Sequence, residues 1–158
     1  MNIFYLDRNQ SRCAEMHVDK HCVKMILEYA QLLSTAHRYL DGVHTVGKSS
    51  TGRKKTTYVL PDSLNDILYS ATHINHPSAV WVRKSQHNYN WLARLLIALC
   101  DEYTYRYGRI HKVYESGLAN ILLNVKPDNL PVGPYTEPTP AMPEDMIVRG
   151  DSIASYRG

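Results

Sequence analysis

The sequence predicts a mostly α protein: one compact helical domain with two long helices and a proline-rich, extended C-terminal arm. Three observations carry that expectation. Between Ser11 and Leu40 there is no Pro or Gly, and apolar residues recur at three- and four-residue steps. A second breaker-free stretch runs from Ser78 to Tyr107 with the same periodicity. After Lys126 the chain carries six prolines, Pro127, Pro131, Pro134, Pro138, Pro140 and Pro143, each lacking a backbone donor. A length of 158 residues suits a single domain, 1–158, with the arm over 126–158.

Taken in order, Ile3 to Leu6 is a short apolar run that reads as a small strand, and Asn9 or Ser11 offers a helix cap. The first long helix then places Cys22, Ile26, Leu33, Ala36 and Leu40 on an apolar face with Val23, Leu27 and Ala30, and Asp41-Gly42 ends it. Residues 43–60, VHTVGKSSTGRKKTTYVL, are small, polar and basic, and read as an exposed loop presenting Arg53, Lys54 and Lys55 to phosphate or simply to water. Pro61, Asp62 and Ser63 open a short helix to about Thr72. HINHP, residues 73–77, is a turn in which Pro77 suits a first helical position. The stretch to Tyr107 is one long helix or two, stopped by Gly108. A further short helix covers Tyr114 to Leu123, and the arm wraps over the helices.

Composition narrows the function classes. A net charge of +3 tolerates a polyanionic partner without demanding one. The aromatic set is twelve Tyr to two Trp and one Phe, and tyrosine pairs a stacking face with a polar tip suited to half-wet clefts. Three cysteines with no CxxC pair argue against a disulfide framework and for a reducing cytoplasm. The start, MNIFYLDRNQ, lacks the pattern of a secretory signal, and no apolar run nears the roughly 20 residues of a membrane helix. The expectation is a cytoplasmic protein with no membrane partner; oligomeric state is not legible.

Three constellations could carry chemistry. In HVDKHCVKM, helical geometry puts Cys13, His17, His21, Lys24 and Glu28 along one side, with Lys20 beside them. An i, i+4 histidine pair can grip a metal, but the further ligands have no suitable spacing and two lysines adjoin, so no metal or other cofactor is expected. The stretch is then a proton-transfer or amine site, or the wetted stripe opposite the apolar face. On the second long helix Asn88, Trp91, Leu95, Glu102 and Arg106 share a sector, so Glu102 is either a general base in a cleft or half of a structural ion pair with Arg106 or Arg83. His111 and Lys112 follow as further cations. Asn75 and His76 precede a helix start near Arg83, an arrangement that suits an anion or a plain Asn75 cap.

These pieces resemble a family of small phage and bacterial proteins with a CDKHVVKMxLExAQLLxTAHR helix, NHPxxxWxRxSxxNYxWL, EYxxRYGxxHK and a closing AMP. The corresponding segments here are HVDKHCVKMILEYAQLLSTAHRYL, NHPSAVWVRKSQHNYNWLARL, EYTYRYGRIHK, AMPEDM and the terminal YR. Through CAEMH, NHP and EYTYRYG the chain more remotely resembles the pyrimidine-dimer DNA glycosylase group, compact helical enzymes. That group's α-amine nucleophile does not carry over, because the bulky Asn2 disfavours removal of Met1, and Lys24 stands where its catalytic carboxylate is expected.

What the resemblance implies is a phage-type enzyme acting on DNA or a nucleotide, by cleavage of a glycosidic bond. Breaking that bond builds positive charge on the sugar, which a carboxylate stabilises while a histidine or lysine assists. The expected catalytic residues are His17, His21, Lys24 and Glu102. Those expected to bind substrate are Lys20, Asn75, His76, Arg83, Arg106, Arg53, Lys54 and Lys55. The alternatives are a non-catalytic nucleotide- or nucleic-acid-binding phage factor and, third, a metal-dependent enzyme using the HxxxH helix.

Overall fold

The computed structural model describes residues 3, 5–48 and 51–136, and of Lys48, Lys54, Lys55 and Thr56 only the backbone. The AMP segment and the terminal Tyr-Arg lie outside the described residues. The architecture is mostly α. A short helix α1 (Gln10–Glu15) leads into the long α2 (Asp19–Asp41), and a hairpin of β1 (Val43–Lys48) and β2 (Lys54–Val59) follows. Then come α3 (Leu64–Ile67), α4 (Pro77–Val82), the long α5 (Gln86–Tyr107), α6 (Lys112–Glu115) and α7 (Leu118–Asn124). Ile3, Tyr5 and Leu6 form no strand.

The predicted first helix is broken at Met16–Val18, and His17 is the reason. In an unbroken helix the Cys13 carbonyl would accept the His17 amide. Here it accepts the His17 ring Nδ1–H at 2.7 Å, and the amide turns to Ala14 O at 3.1 Å. Val18 is then extended and α2 restarts with Asp19 in its first turn, where the helix dipole favours negative charge.

From Leu32 to Arg38 every residue of α2 is buried, including Ser34, Thr35 and His37. A helix enclosed on all sides in this way is the central element of the fold, and α5, α4, α7 and the hairpin surround it. Nearer its start only one face is covered: Cys22, Met25, Ile26 and Tyr29 are buried, whereas Val23 and Leu27, expected in the core, are about two-fifths exposed.

The expected 43–60 loop is an antiparallel hairpin with Val43 opposite Val59 and Thr45 opposite Thr57, whose hydroxyls hydrogen-bond across the strands. Most of its described residues are exposed. That is why the apolar alternation that usually betrays a strand is missing. The helix expected up to Thr72 stops after Ile67 because Arg38 takes the carbonyls that would continue it: Asn65 O and Leu68 O at 2.8 Å, and Tyr69 O at 2.6 Å.

The second long stretch is two helices. Ser85 divides them, capping α5 by accepting from the Asn88 amide while its own hydroxyl donates to Pro134 O at 2.9 Å. Gly108 ends α5 at φ 67°, a left-handed conformation that suits glycine, and Gly117 at φ 86° divides the expected 114–123 helix into α6 and α7. The described part of the arm is extended and held down. Asn88, fully buried, donates to Trp81 O and Thr136 Oγ1 and accepts from the Thr136 amide at 2.8 Å. Asp41 accepts from the amides of Asp128 and Asn129. Tyr5, Trp81, Trp91 and Tyr135 meet ring to ring at 4.9–6.3 Å, closing the N-terminal segment and the arm over α4 and α5.

Candidate functional site

The expected site residues fall into two groups at opposite ends of α2. His21 and Tyr39 are 18 residues apart, about 27 Å along the axis at 1.5 Å per residue. His17, Lys20, His21, Lys24, Glu102 and Arg106 belong to the N-terminal end. Asn75, His76 and Arg83 belong to the C-terminal half, where Thr72 bonds Thr35 and Arg83 lies on Tyr39. No small anion can touch both His21 and His76.

At the N-terminal end the histidine pair does not share a helix face. His17 is 2% exposed and its ring faces the core, with Nδ1–H on Cys13 O. A carbonyl can only accept, so the proton is on Nδ1 and Nε2 accepts from the Tyr29 hydroxyl at 2.8 Å. Burial, and secondarily the nearby His21 and Arg106, draw its pKa down to about 4, so it is neutral near pH 7. His17 is therefore a core hydrogen-bonding residue rather than a surface catalyst or ligand. His21 is half-buried, and Lys20 and Lys24 are exposed on the surface of α2.

Glu102 has the partner its half-apolar face requires. Arg106 Nε donates to it at 2.8 Å, Nη1 to Asp19 at 3.1 Å and Nη2 to Glu15 O at 2.9 Å. This one guanidinium joins the end of α1 and the start of α2 to α5. Partial burial works against its charge, but the Glu102 bond and the nearby carboxylates hold its pKa above the ordinary arginine range. Arg106 thus spends three of its N–H groups on protein oxygens. Beside it opens a cleft of about 550 Å³ lined by Ser11, Glu15, Ala98, Asp101, Glu102 and Tyr105. Its carboxylates repel phosphate.

At the other end, His76 rather than Asn75 caps α4: its Nδ1 accepts from the Ser78 amide at 3.1 Å, and Pro77 holds the first position. Burial above all lowers the His76 pKa, favouring the neutral capping form. Asn75 is exposed. Arg83 donates to Ile74 O at 2.7 Å and lays its guanidinium 3.9 Å above the Tyr39 ring. Tyr39 leads on to Tyr58 at 5.9 Å, and Tyr58 to His44 at 5.0 Å. The result is a row, Arg83–Tyr39–Tyr58–His44, running from α4 across the end of α2 onto the hairpin. Arg53 is exposed at the hairpin's far end; the side chains of Lys54 and Lys55 lie outside the described residues.

Behind Tyr58 lies a recess of about 290 Å³ with Arg38, Asn65, Ser70 and Ala71 on its walls. Arg38 is 7% exposed and spends all five N–H groups on oxygens: Tyr69 O, Tyr58 O, Asn65 Oδ1, Asn65 O and Leu68 O. Tyr39, Tyr58, His44 and Arg38 were not among the residues expected to act. The one signal was Arg38 itself, a charge inside the otherwise uncharged LLSTAHRYL, where burial requires a dedicated partner set.

The described helices include none long and apolar enough to cross a membrane. Among the described residues no group of three or more His, Cys, Asp or Glu is placed to hold a metal. Comparison with protein families, curated proteins and solved structures finds no match to this chain.

Proposed function

We propose that this protein binds nucleic acid or a nucleotide on the face formed by the end of α2, the hairpin and the end of α4. The observation that carries the reading is the Arg83–Tyr39–Tyr58–His44 row beside a hairpin containing Lys48, Arg53, Lys54 and Lys55 and no acidic residue from 43 to 60. Aromatic faces stack on bases of any sequence, each stack contributing about 1–3 kcal/mol, and basic side chains attract the phosphates between them. Asn75 is exposed next to Ile74, whose carbonyl accepts from Arg83. The test is fluorescence anisotropy with labelled oligonucleotides over a salt series. Tyr39→Ala should weaken binding about tenfold or more at an unchanged salt slope. Alanine at Arg53, Lys54 and Lys55 together should instead flatten the slope by about 0.7–0.9 per lost phosphate contact. Unaltered affinity in a folded Tyr39→Ala protein sinks the reading.

A second reading is glycosidic-bond cleavage, the activity that the phage-protein and glycosylase resemblance implies. It is favoured by Glu102 lining the cleft of about 550 Å³ with Asp101 and Glu15, where a carboxylate could stabilise positive charge on a sugar. His21 and Lys24, on the same end of α2, are the groups this reading assigns to proton transfer. Single-turnover assays on damaged or modified DNA decide it: product formation that Glu102→Gln abolishes supports cleavage, and no product with intact binding removes it.

A further inference from the structure

We propose that the recess beside Tyr58 takes one unpaired nucleobase of a single strand; this rests on the nucleic-acid reading and names its ligand. Tyr58 is both a member of the stacking row and a wall of the recess, so a strand following the row lies next to it. The volume of about 290 Å³ lies at the small end of ligand sites and is ample for one base.

The floor supplies a charge. Arg38 keeps its proton in proteins and is compensated by oxygen dipoles at each of its five N–H groups. With every donor used, it offers the ligand positive potential rather than hydrogen bonds. In a half-enclosed recess that potential favours the carbonyl-bearing edge of a base and the phosphate next to it.

Ring spacing sets how the strand sits. Inserting a base between two rings requires about twice the 3.4 Å stacking rise. The gaps of 5.9 Å and 5.0 Å in the row are too narrow. Bases must therefore lie on the outer faces of the row or drop into the recess beside it. Both need a base uncovered on one face, which a strand within a duplex does not provide.

The experiment compares a labelled single strand of about 12 nucleotides with the same strand annealed to its complement, at about 50 mM salt. The single strand should bind at least about tenfold more tightly. Ala71→Trp, which fills the recess, should cost single-strand affinity about tenfold at an unchanged salt slope and melting temperature. If that variant does not fold, Ser70→Trp blocks the same space from an exposed position. Duplex affinity equal to or above that of the strand, or full affinity in a folded tryptophan variant, overturns the proposal and leaves the nucleic-acid reading standing. Loss of binding to both forms of the oligonucleotide in the unmodified protein overturns both.

Discussion

His17 makes the stability of the fold depend on pH in a calculable way. Its pKa falls from 6.5 in the unfolded chain to about 4 in the fold, chiefly through burial at 2% exposure. A depressed histidine pKa means the unfolded chain binds the proton first. The contribution is whole above the unfolded value and is lost as pH falls from 6.5 towards about 4. Each pH unit inside that window costs about 1.36 kcal/mol, so lowering the pH to about 5 should remove roughly 2 kcal/mol. His37 and His111 are shifted down by burial as well, so the whole protein should lose more than this one residue accounts for. The matched control is the double variant His17→Asn, Tyr29→Phe. Asparagine retains a side-chain N–H for Cys13 O, and phenylalanine removes the hydroxyl that would lose its acceptor. Urea unfolding at about pH 7.5 and about pH 5 should show a loss about 2 kcal/mol smaller in the variant than in the parent, at matched m-values. An equal loss in both proteins would refute the buried neutral imidazole.

Two further outcomes test the remaining fold assignments. Arg38→Lys replaces five donors with three, leaves at least two half-buried oxygens short of a partner, and should cost about 3 kcal/mol in urea unfolding; a loss below about 1 kcal/mol would mean water replaces the missing donors. Asn88→Ala should cost about 2–3 kcal/mol and speed proteolysis within 127–136, because Trp81 O and the Thr136 amide lose their buried partner; an unchanged cleavage rate would show that the aromatic cluster alone holds the arm.

The helical class, both long helices, the stop at Gly108 and the described part of the extended arm were legible because each rests on local chemistry: apolar periodicity, a left-handed glycine, prolines without donors. The hairpin was not, since its exposed residues carry no alternating apolar signal. The break before α2 was also hidden. HVDKHCVKM reads as continuous helix until the His17 ring, drawn inward by Tyr29 twelve residues on, takes over the Cys13 carbonyl.

The candidate site divides along the same line. Helical spacing correctly put Glu102 within reach of Arg106, an i, i+4 contact that any helix makes. Spacing could not show that Arg106 is also claimed by Asp19 and Glu15 O, from elements about 90 positions away, or that the expected residues lie at opposite ends of one long helix. The Arg83–Tyr39–Tyr58–His44 row draws one residue each from α2, both strands and the end of α4. By itself, then, the sequence determined which segments coil and where they stop, because those choices depend on neighbours within a turn or two. Only the tertiary structure decided which side chains meet, because packing the central helix on all sides joins residues that no local periodicity relates.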